Sequence, residues 1–361
     1  MRTENLLNKR IFGFKSLRGY YGWLNTVKNG LLHTKNVSFK NKVWCLSHGF
    51  SPNFLKVIGE KELKSNYKNY LSNKEYYKLH PFNDQYSFWI DDKLTTKYVF
   101  SKHNEYLPKY YFQTDDKDVL RLSDCEKDYE CSAKGIMECL DDVKLLAAKR
   151  MIGSCGHGFY RLEKKDDGYY ISNKKASREE VEKLISGLKG YLFMECIINH
   201  AELRAIWPDA LNTIRILFGN CDGNPVVMRS FMRFGNSKSK GVDNASSGGI
   251  EAVVNVHTGE SFYAFKKNEK GYAEPITNHP DSGAKLLFKI PKWDEVIAEL
   301  KKICLSYPQL SYLGFDIAVT DDGFKIIEIN SLSGLEYVQA KAPMYSDPET
   351  RELLRKFGLK R

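Results

Sequence analysis

The stretch LGFDIAVTDDGFKIIEINS, residues 313–331, decides how this chain is read. Two runs rich in Ile, Val and Phe flank Asp321-Asp322-Gly323, which is a turn signature. With those three residues as the loop, Thr320 lies opposite Phe324 and Asp316 lies opposite Glu328. Alternation then sets Asp316, Ala318, Thr320, Phe324, Ile326, Glu328 and Asn330 on one face. Phe315, Ile317, Val319, Lys325, Ile327 and Ile329 fall on the other, a good core surface. Directly opposed side chains have Cβ atoms about 5 Å apart. Two carboxylates and one amide oxygen therefore gather at one place. Hard oxygen donors of this kind suit Mg2+, which takes few protein ligands and completes its shell with phosphate oxygens and water. A slip of one residue would send Asp316 and Glu328 to opposite faces. The competing reading is a solvated hairpin with a polar outer face. Against it, Glu328 and Asn330 sit inside the apolar run KIIEIN, next to Gly314 and SLSG (331–334).

The neighbouring strands add cations. LNTIRI (211–216) and VVMRSFMRFG (226–235) each place arginine in an apolar run. Arg215, Arg229 and Arg233 are suited to a transferring phosphoryl group or an acyl phosphate. Arg229 and Arg233 are four apart, so they share a strand face. VDNASSGGI (242–250) supplies a Gly-rich polar loop. Further upstream, LAAKRMIGSCGHGFYRL (146–162) sets Lys149 on a strand before Gly153, Gly156 and Gly158. Such a loop lets backbone N–H groups approach phosphates. It is neither the dinucleotide fingerprint nor a Walker loop, since no GxGxxG and no GK[ST] is present. A flap over a nucleotide is the functional reading and a plain turn the bland one. In YLFMECIINH (191–200), Glu195 lies among apolar residues, where an unpaired carboxylate is costly. It is placed to bond an adenine amine or a ribose; an acid on an edge strand is the alternative.

Size and composition bound the rest. The chain has 361 residues, 42% hydrophobic and 28% charged, enough for two or three lobes. The formal net charge of +10 is concentrated at the ends. Residues 1–50 carry nine basic residues against Glu4, and residues 351–361 carry five against Glu352. Basic ends suit an anionic partner (a polyanionic substrate, a membrane surface or nucleic acid), and a solvated basic surface is the bland reading. The partners expected are an anionic small-molecule or glycan substrate and peripheral membrane contact, with no nucleic acid. Aromatic residues among the N-terminal charges (Phe12, Phe14, Tyr20, Tyr21, Trp23) read as helix packing or as an interfacial segment. The eight cysteines form no Cys-x-x-Cys pair, so zinc is not expected and they read as reduced thiols of a cytoplasmic protein. No signal peptide is expected, and the longest apolar runs are far below the roughly 20 residues that span a bilayer.

The secondary-structure pattern is α+β with mixed sheets and no regular βαβ repeat. ENLLNKRIFGF (4–14) and FSPNFLKVIGEKELKSNYKNYLS (50–72) have helical spacing. DDKLTTKYVFSKH is a short helix capped by Asp91 or Asp92, and SREEVEKLISGL a helix with Ser177 and Glu180 as a capping box. FYRLEKKDDGYYIS is a hairpin. TIRILFGN, PVVMRSFMRFG, GIEAVVNVHTG and ESFYAFKK are strands, WDEVIAELKKICLSY a helix. The expected division is a mainly helical basic region 1–88, a lobe 89–196 with the Gly-rich flap, a lobe 197–345 with the metal site, and a basic C-terminal helix 346–361.

In order, DDKLTTK, KRMIGSCGHG, MECII, LNTIRI, MRSFMRFG, VDNASSGG and GFDIAVT with KIIEIN resemble the ATP-grasp superfamily, most closely its sugar-transfer-associated branch. The resemblance covers about residues 90–340. It implies two α+β lobes that clasp ATP in the cleft between them, preceded by the helical region. It also implies that Lys93 and Lys149 touch ATP, that Gly153 to Gly158 form the phosphate flap, and that Glu195 is the hinge acid. Asp316, Glu328 and Asn330 resemble the magnesium ligands, and Arg215 and Arg233 the groups that stabilise an acyl phosphate. KRMI departs from the Lys-Pro of many relatives. The implied activity is an ATP-dependent carboxylate–amine ligase, joining an amino acid and a sugar or uronic acid in surface polysaccharide assembly, in the cytoplasm or at the inner face of the membrane. A kinase on the same fold and a non-catalytic glycan-binding protein are the alternatives.

Overall fold

The computed structural model describes residues 10–151, 158–239, 241–244 and 248–359. The chain divides into two compact units. One takes residues 92–199 with 325–327; the other takes residues up to 91, 200–324 and 328 onward.

The larger unit begins with five helices: α1 (Leu17–Leu32), α2 (Phe39–Ser47), α3 (Pro52–Ile58), α4 (Glu60–Asn66) and α5 (Asn73–Leu79). ENLLNKRIFGF is not a helix over its described part. Ile11 and Phe14 bridge each other as extended chain, with Phe12 at a φ of 48°. The helix starts later, where the Ser16 hydroxyl accepts the Gly19 N–H and caps α1. FSPNFLKVIGEKELKSNYKNYLS forms two helices rather than one, divided at Gly59, whose φ of +92° ends α3.

The smaller unit holds α6 (Lys93–Val99), capped by the Asp92 side chain on the Thr95 N–H, then α7 (Ala133–Val143) and α8 (Arg178–Gly187). The expected capping box of Ser177 and Glu180 opens α8. Its sheet runs β2–β1–β7–β3–β4–β5–β6, from β1 (Tyr110–Thr114), β2 (Val119–Arg121), β3 (Leu145–Arg150), β4 (Tyr160–Lys165), β5 (Gly168–Ile171), β6 (Lys174–Ala176) and β7 (Tyr191–Glu195). One sheet face meets α7 and α8 through Phe112, Ile136, Leu140, Leu146, Val181 and Phe193. The other face carries Tyr110, Ala147, Leu192 and Met194, with Leu94, Phe159 and Cys196 against them.

The second sheet runs β12–β11–β10–β9–β8–β13–β14. Its strands are β8 (Ile214–Cys221), β9 (Asn224–Phe234), β10 (Ile250–Val254), β11 (Ser261–Lys267), β12 (Ala273–Ile276), β13 (Tyr312–Thr320) and β14 (Gly323–Asn330). Helices α9 (Ala201–Ile206), α10 (Trp293–Ser306) and α11 (Pro348–Lys356) complete the larger unit. The strand pairs whose register is defined are all antiparallel, not the mixture expected. Between β8 and β9 the register shifts: Leu217 faces Arg229 and Phe218 faces Val227, which leaves Met228 as an extra residue.

The helical region is not a separate body. Phe50, Phe54, Leu63, Tyr70 and Tyr76 share one core with Leu217, Phe231, Val253 and Phe265 of the sheet and with Val338 and Leu353. Burying a side chain such as Phe54 is worth roughly 1.5–3 kcal/mol. Two buried amides lock the assembly. Asn83 donates to the Tyr312 carbonyl at 2.7 Å and accepts its N–H at 2.8 Å. Gln339 accepts the Leu71 N–H at 2.9 Å and donates to the Leu71 carbonyl at 3.0 Å. Residues 1–88, 197–345 and 346–361 thus largely share one unit, where three regions were expected.

Candidate active site

Asp316 and Arg215 are direct cross-strand partners on β13 and β8. Both oxygens of Asp316 are engaged. Oδ1 accepts from Arg215 Nε and, at 2.9 Å, from an Arg233 terminal nitrogen; Oδ2 accepts from Arg215 at 2.7 Å. Burial works to raise the Asp316 pKa, but the two guanidinium groups outweigh it and hold the carboxyl at about 2. The group is an anion at neutral pH and is buried at 4% exposure.

Arg233 extends the cluster across the sheet. It also donates to Thr213 Oγ1 at 2.7 and 3.0 Å and lies 3.7 Å from Asp243. Asp243 in turn accepts the Thr213 N–H at 2.8 Å. Glu251 on β10 is the cross-strand partner of Arg233. Burial pushes Glu251 up to about 8, only partly offset by Arg233, and its Oε2 has no hydrogen-bond partner among the described residues. Asp243 and Glu251 are site residues that the sequence reading missed. The signal was there: Glu251 is a lone acid in GIEAVV, the same kind of anomaly that drew attention to Glu195.

Between β13 and β14 stand only Asp321 and Asp322. The expected three-residue loop is therefore a two-residue one, and Thr320 meets Gly323. By strict alternation Asp316 then stands opposite Ile327, so the expected gathering of Asp316 with Glu328 does not follow from the hairpin. Gly323 belongs to β14 and does not adopt the positive φ that a three-residue loop asks of its last residue. Asp316 is turned to the arginines of β8 and β9, a partnership the hairpin alone did not reveal. Glu328 and Asn330 are half-buried toward the end of β14. The Asn330 amide nitrogen faces the Gly314 carbonyl at 3.4 Å, so its oxygen is the end available to a cation.

The donor set expected for magnesium is altered in two ways: Asp316 is taken up by arginines, and the hairpin register does not bring it to Glu328. A carboxylate offers about four lone-pair sites, and the arginines take three of those on Asp316. One remains on Oδ2. Glu328 and Asn330, at the end of β14, are the hard oxygens that would be left to hold a magnesium ion. No group of three His, Cys, Asp or Glu side chains among the described residues is arranged to hold a metal; this set has two carboxylates and an amide.

Arg229 does not join the cluster, which corrects its expected catalytic role. Its guanidinium donates to the carbonyls of Met228, Ala342, Pro343 and Met344 and to Thr350 and Ser346. Apart from the bond to Met228, its donors are spent on the chain that leads into α11 and on the first turn of that helix. Burial lowers its pKa to about 10, so it remains charged.

In the smaller unit Lys149 lies on β3, half-buried, with its ammonium 5.9 Å from the Phe159 ring. Leu192 is its cross-strand partner, which puts it on the face that carries Ala147 and Met194. Lys93 opens α6. Glu195 pairs with Leu146, whose face is the helix-covered one, and its carboxylate accepts the Lys109 N–H at 3.0 Å. Glu195 is thus not gathered with Lys149, because strand alternation separates them. Gly158 adopts a φ of +75°, and a Cβ there would lie 2.6 Å from the Tyr191 hydroxyl; Gly153 and Gly156 lie outside the described residues.

In the larger unit a cavity of about 330 Å3 opens beside the segment that leaves Asn330. Its wall includes Asn25, Asn29, Asn53, Asn73, Tyr76 and Ser333. Among the described residues it holds one carboxylate, Glu336, and no lysine or arginine. Leu332, also in the wall, is two residues past Asn330, so their Cα atoms are no more than about 7.6 Å apart.

The family described as sugar-transfer associated ATP-grasp matches residues 71–344, more than half of the chain. The chain belongs to this family. Its two α+β units, each built on a seven-stranded antiparallel sheet, are accordingly an ATP-grasp fold preceded by a helical region. Among curated proteins nothing matches. Solved structures give distant likenesses. D-alanyl-alanine synthetase A of Vibrio cholerae is 10% identical with a TM-score of 0.43, over 76% of this chain and 65% of that one. The L-amino acid ligase of Bacillus licheniformis is 12% identical with a TM-score of 0.38, over 81% and 52%. Biotin carboxylase of Campylobacter jejuni is 12% identical with a TM-score of 0.40, over 84% and 53%. The chain thus spans from about half to two thirds of the length of these three, and likenesses so distant decide nothing about activity. No helix among the described residues is long and apolar enough to cross a membrane.

Proposed function

We propose that this sugar-transfer-associated ATP-grasp protein is an ATP-dependent carboxylate–amine ligase, joining an amino acid and a sugar or uronic acid in polysaccharide assembly. The observation that carries the reading is the buried set of Arg215 and Arg233 on Asp316, in the sheet that ends at Glu328 and Asn330. Two guanidinium groups fixed before an anion arrives cost no reorganisation when charge develops, which is how preorganised donors stabilise a transition state. Asp316 aims them and Thr213 steadies Arg233. A magnesium ion would be held by Glu328 and Asn330, and would supply neutralisation of phosphate oxygens when bound. Lys93 and Lys149 are the cations of the smaller unit assigned to ATP.

In the reaction a substrate carboxylate attacks the γ-phosphorus of ATP, giving an acyl phosphate and ADP. An amine then attacks the acyl carbon; the C–N bond forms and inorganic phosphate leaves. Arg215 and Arg233 would oppose the negative charge on the phosphoryl group in both steps. The cavity beside Asn330 favours a hydroxyl-bearing, uncharged group over an anion, because amides and hydroxyls dominate its wall and its single charge is negative. The family's description as sugar-transfer associated supports a sugar there.

The test is ADP release from the full chain with Mg-ATP and pairs of amino acids, amino sugars and uronic acids, with mass spectrometry of the products. An amide product and phosphate, both abolished by Glu328→Gln without loss of fold, are expected. Nucleotide turnover indifferent to every pair, or a stable phosphoester without phosphate release, would overturn the ligase in favour of a kinase or a binding protein.

A further inference from the structure

The N-terminal helices carry a surface the ligase chemistry does not use. On α1, Tyr21, Leu24, Leu31 and Leu32 point to solvent, with Tyr21 at 59% and Leu32 at 67% exposure. At 100° per residue they span an arc of about 100°, with Lys28 inside it. The opposite face is sealed: Gly19, Trp23 and Gly30 are buried, and a Cβ on Gly19 would lie 2.3 Å from the Tyr77 carbonyl oxygen. Helix α1 is therefore apolar on both sides, and only one side is covered. Helix α2 continues the exposed side with Phe39 at 74% and Val43 at 46% exposure, one turn apart. The Lys42 ammonium donates to the Leu31 carbonyl at 2.8 Å and ties α2 to the end of α1.

The segment that forms this face carries charge of one sign. Between Glu4 and Glu60 the sequence has no aspartate or glutamate, yet nine lysines and arginines. Lys28, Lys35 and Lys40 are exposed on or beside the apolar face. Glu60 reaches α2 but is spent on Asn41 and Lys64, each at 2.7 Å. Large apolar side chains ringed by lysines, on a helix lying flat against its own domain, match what an anionic lipid interface takes up: the apolar groups enter the acyl boundary and the ammonium groups stay at the phosphates. A second copy would bring the same positive charge against itself. A nucleic acid would leave the leucines and Phe39 unsatisfied.

We propose that the face formed by Tyr21, Leu24, Leu31, Leu32, Phe39 and Val43, with its flanking lysines, docks the protein onto the surface of an anionic lipid bilayer. The docking is peripheral, and it holds whether or not the ligase assignment does.

The experiment is co-sedimentation of the full chain with phosphatidylcholine vesicles and with vesicles of phosphatidylcholine and phosphatidylglycerol, at low and at physiological salt. The expected result is at least tenfold stronger partitioning onto the anionic vesicles, weakening as salt rises. Leu32→Ser with Phe39→Ser should reduce it tenfold or more without altering net charge; both residues are exposed, so an unchanged thermal melt is expected. Lys35→Gln with Lys40→Gln should narrow the difference between the two vesicle types. Equal partitioning onto both types would overturn the charge argument. Undiminished binding by the serine pair would overturn the assigned surface. A dimer in sedimentation velocity without vesicles, dissolved by the serine pair, would replace the lipid with a second copy.

Discussion

Arg229 and Arg233 stand four residues apart on β9, both in apolar sequence and both nearly excluded from water, and they do different work. Arg229 spends its donors on main-chain carbonyls and on two hydroxyls between Met228 and Thr350, with its one carboxylate neighbour, Asp347, beyond hydrogen-bond reach at 4.0 Å. Arg233 faces carboxylates, Asp316 and Asp243, with Thr213 between. Carbonyl dipoles on a guanidinium fasten chain to chain and leave nothing for a ligand. A carboxylate on a guanidinium holds it in an electrostatic balance that another anion can re-weigh. The type of oxygen that an arginine meets, and not its burial, separates a fastener from a reagent.

The contrast has measurable consequences. Arg229→Met should cost about 3–5 kcal/mol of stability, since it strands buried carbonyls and leaves Asp347 without its cation; urea unfolding measures this, and a loss below about 1 kcal/mol would mean the C-terminal segment is held by other contacts. Arg233→Lys should leave the melt nearly in place but lower turnover about 100-fold, roughly 3 kcal/mol of barrier; unchanged ADP release would remove Arg233 from the chemistry. Glu251 adds a pH effect. Its folded pKa of about 8 lies above the ordinary 4.5, so folding takes up a proton between those values and stability falls as pH rises through that window. Denaturant titrations should show a decline of roughly 3 kcal/mol between pH 5 and 8, and Glu251→Gln should flatten it; an equal slope in the variant would locate the effect elsewhere. The smallest effect, about 1 kcal/mol, is expected for Ser177→Ala, which removes a helix cap with no role beyond the local chain.

What the sequence disclosed followed from local rules. The helix capped by Asp92, the capping box at Ser177 and the hairpin around Asp166 and Asp167 all depend on neighbours within a few residues, and each formed. The strands carrying Arg215, Arg233 and Asp316 announced themselves by charges set in apolar runs. Helices α1, α2 and α5 lie in the region expected to be mainly helical, but their bounds were not read, because contacts distant in sequence help fix them: Tyr76 packs against Tyr312. The same distance hid the cluster's full membership. Asp243 reads as part of a Gly-rich loop, and only the fold brings it to Thr213 and Arg233. The role of Arg229 depends on carbonyls more than a hundred residues away, which no spacing rule reaches.

Met228 has no cross-strand partner of its own on β8. Without Met228, Val227 would still stand opposite Phe218 and Arg229 opposite Leu217, now in an unbroken ladder; what would go is the local bend and added twist that a bulge gives its strand. A neutral, unreactive residue thereby sets the curvature of the strand that carries both arginines.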